Sequence, residues 1–342
     1  MNQYDKIKKV LKNKPKSWLI TGVAGFIGSN LLKTLLELDQ KVIGLDNLAT
    51  GRLSNLKSIE SEVSGKNWKN FEFVQGDILD FELCLRVTEK IDFVLHQAAL
   101  GSIPRSIKDP LTSNNVNIQG FLNVMVASRD SDVKRLVYAA SSSTYGDHKD
   151  LPKVEENIGN PLSPYGVTKL VNELYADIFH QLYNFNSIGL RYFNVFGPLQ
   201  DPEGPYAAVI PKWISAISNS EEVQINGDGE TSRDFCFIDN AVQANILAAT
   251  TQNEDSLNQV YNVAFGEKTS LNELFRMIKG KFLKLDESFD IKNPKYASFR
   301  QGDVRHSLAN INKAKTLLGY EPQIQVSEGI EMTIKSYQVS AL

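Results

Sequence analysis

The chain has 342 residues, 42% hydrophobic and 23% charged, which suits a packed globular core and not a disordered or collagen-like chain. Its 37 Lys and Arg against 40 Asp and Glu leave a net charge of −3, which argues against gripping nucleic acid through bulk charge. Two distant cysteines, Cys84 and Cys236, and four scattered histidines offer neither a disulfide framework nor a zinc spacing. The Lys-rich start, Met1 to Ser17, has no apolar run long enough for a signal peptide, but Tyr4, Ile7, Val10 and Leu11 recur at helical spacing and predict a surface helix. No stretch approaches the roughly 18 to 20 apolar residues of a membrane span, so a cytoplasmic protein without a membrane partner is expected.

Apolar, β-branched runs predict strands over Ser17–Thr21, Lys41–Asp46, Phe71–Gln75, Ile91–His96, Arg135–Ala140 and Ser187–Arg191. Helical periodicity marks Ser29–Leu38, Leu111–Ser128 and Tyr165–Leu182 between them. This alternation predicts an α/β fold, a doubly wound parallel sheet of the Rossmann kind with helices on both faces. After Phe196-Gly197-Pro198 the texture changes: Pro202, Gly204, Pro205 and Pro211 cluster as in loops, and later elements are shorter. Asn312–Leu318 followed by Gly319 reads as a late helix with its stop signal. The expected division is a cofactor domain over 1–196, with a returning segment about 236–264, and a smaller α/β substrate-binding lobe mainly over 197–342.

Thr21-Gly22-Val23-Ala24-Gly25-Phe26-Ile27-Gly28 lies between the first strand and the first long helix. Gly22 can make the tight turn, Gly25 can let the backbone approach a pyrophosphate, and Gly28 can let helix and strand pack closely. The helix N-terminus then offers N–H groups to phosphates. Asp46 stands 18 residues past Gly28 at the end of the second strand, where a carboxylate either binds a ribose hydroxyl or caps a turn. Its charge would repel a 2′-phosphate, so NAD is expected rather than NADP. Gly76-Asp77-Ile78 closes the third strand, either as a plain turn or as a wall for adenine.

Tyr165 and Lys169 stand at i and i+4, one face of a helix, as a surface pair or as a base with its cation. A phenol of pKa about 10 needs help to act as a base near neutrality, and a nearby ammonium gives it. Ser141-Ser142-Ser143 follows the fifth strand at the carboxyl edge of the sheet, where ligands bind in such folds.

Taken together, these motifs and His96-Gln97-Ala98-Ala99, Thr144-Tyr145-Gly146, Arg191 to Pro198, Arg233-Asp234-Phe235 and Arg300-Gln301-Gly302-Asp303 make the chain resemble the extended short-chain dehydrogenase/reductase family, in particular its nucleotide-sugar 4-epimerases. The resemblance runs from about Lys16 to about Gly319. It implies an NAD-dependent isomerase with Tyr165 as base, Lys169 as its partner and Ser141, four residues before Tyr145-Gly146, completing the triad. It implies NAD contacts at Gly22, Gly25, Phe26, Ile27, Gly28, Asp46, Asn47, Asp77, Ile78, Gln97, Ala98, Ala99, Tyr165, Lys169 and Tyr192. It further implies that Ser102, Ser142 and Ser143 meet the sugar, that Asn194 meets the diphosphate, and that Arg233 and Arg300 clamp it without a basic surface. Dehydratases of the family carry an Asp-Glu pair where this chain has Ser142-Ser143, so dehydration is not expected. Ser307 falls where epimerases restricted to plain hexoses have a bulky Tyr. The small side chain leaves room for an acetamido group and points to UDP-N-acetylglucosamine and UDP-N-acetylgalactosamine. UDP-glucose/UDP-galactose or UDP-glucuronate epimerisation is the alternative, and a non-catalytic NAD-binding sensor a remote one, since both Tyr165 and Lys169 are kept. The family also implies a homodimer through a four-helix bundle built from Leu111–Ser128 and Tyr165–Leu182.

Overall fold

The computed structural model describes residues 1–204, 207–299 and 304–339. In chain order its main elements are α1 (Gln3–Asn13), β1 (Ser17–Thr21), α2 (Phe26–Glu37), β2 (Lys41–Asp46), α3 (Leu53–Glu62), β3 (Phe71–Gln75), α4 (Phe81–Thr88), β4 (Phe93–His96), α5 (Phe121–Asp130), β5 (Arg135–Ser141), α6 (Pro164–Tyr183) and β6 (Ser187–Tyr192). There follow α7 (Val209–Ser218), α8 (Ile238–Thr250), β7 (Val260–Val263), α9 (Leu271–Leu285), α10 (Asn312–Leu318) and α11 (Val326–Val339). The seven strands form one parallel sheet in the order β7-β6-β5-β4-β1-β2-β3. The order reverses between β1 and β4, and the carboxyl ends of these strands open a crevice there, the place where doubly wound sheets bind ligands.

The strands are apolar because both faces are covered. Alternate residues of β1 face opposite ways: Trp18 and Ile20 pack with Leu31 and Leu35 of α2, while Leu19 packs with Val94, Leu136 and Phe121. Helix α1 is capped by the Asn2 side chain and docks through the buried Leu11 with Tyr4 and Ile7, whereas Val10 of the expected apolar stripe points outward. The helix read as continuous over Leu111–Ser128 is interrupted: Pro110–Asn114 runs into a π-helical turn, Asn115–Gly120, before α5. The fourth strand begins at Phe93 instead of Ile91, because Asp92 turns aside to receive the Ser17 N–H on its carboxylate. The late helix α10 stops at Gly319, whose φ of +69° is the left-handed C-terminal stop expected of it.

Beyond β6 the chain builds small paired strands, Ser232–Arg233 with Thr269–Ser270 and Gln224–Asn226 with Lys295–Ala297, beside α7 and α9. It also returns to the large sheet as α8 and β7. Helix α8 is buried at every residue except Asp239, and its C-terminal carbonyls need donors away from water. Arg135, buried at the start of β5, supplies them: its Nη1 lies 3.1, 3.2 and 2.8 Å from the carbonyl oxygens of Ala248, Ala249 and Thr251. An Arg135→Met substitution keeps the apolar stem and strands these carbonyls. It is expected to lower the unfolding free energy by about 2–4 kcal/mol, read from urea denaturation at unchanged m.

Candidate active site

The crevice holds a cavity of about 1080 Å³ whose floor is the glycine turn. Gly22 has φ +72°, and a Cβ there would meet the Ala98 backbone nitrogen at 2.8 Å, so the turn after β1 admits glycine alone. A Cβ on Gly28 would lie 2.1 Å from the Gly22 carbonyl oxygen, which fixes how closely α2 crosses β1. Gly25 precedes α2 with no side-chain cap, leaving the first N–H groups of the helix without a side-chain acceptor at the cavity wall. An uncapped helix N-terminus beside a side-chain-free turn is what a pyrophosphate requires.

Asp46 is buried at the end of β2 and takes the Ala24 N–H at 2.9 Å on one oxygen and the Leu48 N–H at 2.8 Å on the other. It therefore organises its own turn, yet about two of its four acceptor positions remain for ribose hydroxyls. Burial raises its pKa, and the two N–H groups hold the shift back. Asp77 receives the Leu79 N–H at 2.9 Å and the Asn47 side-chain amide at 2.7 Å, tying the ends of β2 and β3 into one wall. Gly22, Gly25, Phe26, Ile27, Gly28, Asp46, Asn47, Asp77, Ile78, Gln97, Ala98, Ala99, Tyr165, Lys169 and Tyr192 all line this one cavity. The residues present thus fit NAD.

At the far end of the cavity Ser163 caps α6 through the Gly166 N–H and Pro164 opens its first turn, so Tyr165 sits at the helix start. The Tyr165 backbone N–H is held by the buried Ser106 hydroxyl at 3.1 Å. Burial raises the phenol pKa, and a hydrogen bond with the Ser141 hydroxyl lowers it. Ser141 Oγ also pairs with Ser143 Oγ at 2.6 Å. Lys169 is 2% exposed; its ammonium donates to the Ala139 carbonyl at 2.7 Å and lies 5.9 Å from the centre of the Tyr165 ring. Burial, partly offset by Glu173, pulls its pKa down to about 8. His96 is pulled down to about 3 by burial and by Lys169, and so stays a neutral ring bonded to Thr21 Oγ1 at 2.8 Å.

The expected sugar contacts divide. Ser102, Ser142 and Asn194 line the cavity. Ser143 does not; its hydroxyl is turned to Ser141. Arg233 and Ser307 lie beyond the cavity wall, on adjoining backbone: the Ser307 N–H donates to the Ser232 carbonyl at 3.1 Å, and Arg233 Nη1 reaches the same oxygen at 2.9 Å. Arg300 falls outside the described residues.

Three supporting residues escaped the sequence reading. Asn117, in the π-helical turn, takes the Leu100 N–H at 2.7 Å and donates to the Leu100 carbonyl and to Thr168, pinning the wall that carries Ser102 onto α6. Ser106 holds the start of α6 as described. Asn245 of α8 donates to the Tyr192 hydroxyl at 2.8 Å and receives the Gln97 amide at 3.1 Å. Neither amide stands out in the sequence: Asn117 lies among Asn114, Asn115 and Gln119, and Asn245 follows Asn240 and Gln243 in the same helix. Among the described residues, no group of His, Cys, Asp or Glu is arranged to hold a metal, and no helix is long and apolar enough to cross a membrane.

Comparison with known proteins follows the geometry. The model of the NAD dependent epimerase/dehydratase family matches residues 18–264. A UDP-glucose 4-epimerase of Mycolicibacterium smegmatis is 35% identical over 94% of this chain and 98% of its own length. A UDP-glucuronate 4-epimerase of Thermodesulfobacterium geofontis is 32% identical over 93% and 94%. The solved UDP-N-acetylglucosamine 4-epimerase of Methanobrevibacter ruminantium, in complex with UDP-N-acetylmuramic acid, superposes with a TM-score of 0.86 at 37% identity, covering 96% of this chain and 100% of that one.

Burying a lysine has a consequence for stability. Its pKa is about 8 folded against 10.5 unfolded, so below pH 8 the unfolded chain holds the ammonium more comfortably. The penalty, about 3 kcal/mol, is full below pH 8, shrinks as pH rises and vanishes above about 10.5. Lys169→Met is therefore expected to lose turnover yet gain stability at pH 7, the gain disappearing near pH 10.5. Urea denaturation of both proteins across that range checks it.

Proposed function

The chain belongs to the NAD dependent epimerase/dehydratase family, and within it we propose that it interconverts UDP-N-acetylglucosamine and UDP-N-acetylgalactosamine at C4. The enzyme is an NAD-dependent nucleotide-sugar 4-epimerase. The observation that carries this reading is the meeting of Tyr165, Lys169 and Ser141 at one end of the cavity whose other end is the glycine turn. Bound NAD supplies a reversible hydride acceptor for the sugar C4, so the sugar passes through a 4-keto form.

Each residue then has a task. The Ser141 hydroxyl bonds to the Tyr165 oxygen and keeps it aimed at the sugar 4-hydroxyl. Tyr165 takes the hydroxyl proton and returns it after the sugar has turned. A Lys169 amine of pKa about 8 carries its positive charge at neutral pH, which favours the phenolate. Small side chains at Ser102 and Ser142 leave the sugar room to turn. Serines in place of an Asp-Glu acid pair disfavour dehydration. A non-catalytic sensor would have no use for a tyrosine and a lysine buried against their hydration, which disfavours that reading.

The similarity to a UDP-N-acetylglucosamine 4-epimerase supports the acetamido sugar. UDP-glucose and UDP-glucuronate are the competing substrates, each favoured by a relative named above. The product would feed polysaccharide synthesis in the cytoplasm. Proton NMR of the purified enzyme with each UDP-sugar decides among them; conversion of UDP-glucuronate alone overturns the acetamido assignment. Tyr165→Phe is expected to slow epimerisation by about 10²- to 10⁴-fold with bound NAD and UDP affinity retained.

We also propose a homodimer. Val167, Leu174, Ile178 and Leu182 form an exposed stripe along α6, with Leu174 58% and Leu182 68% exposed, and Leu111 beside them is 83% exposed. Two such faces related by a two-fold axis would make a four-helix bundle. Sedimentation equilibrium is expected to give a dimer, and Leu174→Glu with Leu182→Glu a monomer.

A further inference from the structure

Asp234 joins three of the expected sugar-nucleotide contacts: Asn194, the adjacent Arg233 and the segment of Ser307. It follows Arg233 directly and is wholly buried. Its carboxylate receives backbone N–H groups from two distant segments: Phe265 at 3.1 Å and Gly266 at 3.2 Å in the loop after β7, and Ala309 at 3.1 Å, two residues past Ser307. Its carbonyl oxygen receives the Asn194 side-chain amide at 3.0 Å, and Asn194 lines the cavity. Gly266 has φ +91°, the conformation that turns its N–H toward the carboxylate. Asn194, with φ +36°, is likewise held in a left-handed bend.

We propose that Asp234 is a positioning residue for the nucleotide sugar: it fixes Asn194, Arg233 and the Ser307 segment relative to one another, and so sets affinity for the diphosphate-linked sugar without acting on NAD or on proton transfer at Tyr165. The inference rests on the nucleotide-sugar reading. Its physical basis is that a buried carboxylate is costly unless its oxygens are filled. Burial pushes this carboxyl up to about 7, and the backbone N–H groups of Ala309, Gly266, Phe265 and Glu267 pull it back. The loop of Phe265 and Gly266 and the segment of Ala309 must therefore stay in contact around the carboxylate, while the backbone carbonyl of the same residue holds Asn194. An apolar residue there would leave the N–H groups of Phe265, Gly266 and Ala309 unpaired, and an amide would set its own NH₂ against at least one of them.

The test is Asp234→Asn in the full-length enzyme with bound NAD, using UDP as the binding probe in calorimetry. The expected result is a rise of about tenfold in both the UDP Kd and the KM for the nucleotide sugar, the size of one lost charge-assisted hydrogen bond. The kcat should stay within about twofold, because proton transfer is untouched. Released NAD should remain equimolar with protein. A merely structural role would instead lower NAD content and kcat with KM unmoved; that result, or no change in any of the readings, overturns the inference. If Asp234→Asn yields no folded protein, Gly266→Ala, which strains one donor and leaves the carboxylate in place, is read by the same split. Failure of UDP to bind the wild type overturns the nucleotide-sugar reading itself and the inference with it; binding by the wild type with no loss in either variant overturns the inference alone.

Discussion

The approach of α2 to β1 sets everything else in the cofactor half. With only 2.1 Å between the Gly22 carbonyl oxygen and the place of a Cβ on residue 28, helix and strand meet backbone to backbone. That contact places the first N–H groups of α2 at the mouth of the crevice, and it turns Gly22 against Ala98 at the end of β4. The end of β2 is bound into the same junction, since the Gly22 N–H donates to the Leu45 carbonyl and the Ala24 N–H to Asp46. One close approach thus aligns a helix N-terminus, a carboxylate and two strand ends without any of them being adjacent in sequence.

The other end of the site is built at the expense of stability. A lysine held at 2% exposure, a phenol raised by burial and a neutral histidine beside them are unfavourable as packing. Each is held by a specific partner: Ala139 for Lys169, Ser141 for Tyr165, Thr21 for His96. Burial brings only Lys169 toward neutral pH; it raises the Tyr165 phenol and keeps His96 neutral, so the charge of Lys169 is what favours the phenolate.

How much of this could be read in the sequence depends on how local each part is. The six strands before residue 193 are short apolar runs between turn residues, and their signal is in the run itself. The glycine turn, Asp46 and the Tyr165-Lys169 pair are likewise fixed by spacing within one turn or one strand-helix unit. The π-helical turn at Asn115–Gly120 left no such mark, because apolar residues before and after it keep a helical rhythm. Asn245 and Ser106 act through bonds to residues 53 and 59 positions away, so no window of sequence contains both partners. The resemblance implies Ser143 as a sugar contact; the tight turn two residues past Ser141 brings its hydroxyl within 2.6 Å of the Ser141 hydroxyl, a pairing that residue type alone does not reveal.

The same distinction separates the two halves of the ligand site. The cofactor wall is assembled from the carboxyl ends of consecutive strands, whose relative places are dictated by parallel pairing. The residues proposed to meet the sugar nucleotide, near 194, 233 and 307, lie outside the large sheet and are joined by short backbone pairings, Val195–Phe196 with Cys236–Phe237 and Ser232 with His306. The Asp234 carboxylate adds bonds to the N–H groups of Phe265, Gly266 and Ala309, and a backbone N–H offered to a carboxylate specifies position without specifying which side chain is carried next to it. The Ala309 N–H thus reaches Asp234 whatever side chain stands at position 307. The relatives named above differ in the sugar of their printed substrate while keeping one fold, so the fold alone does not specify the sugar.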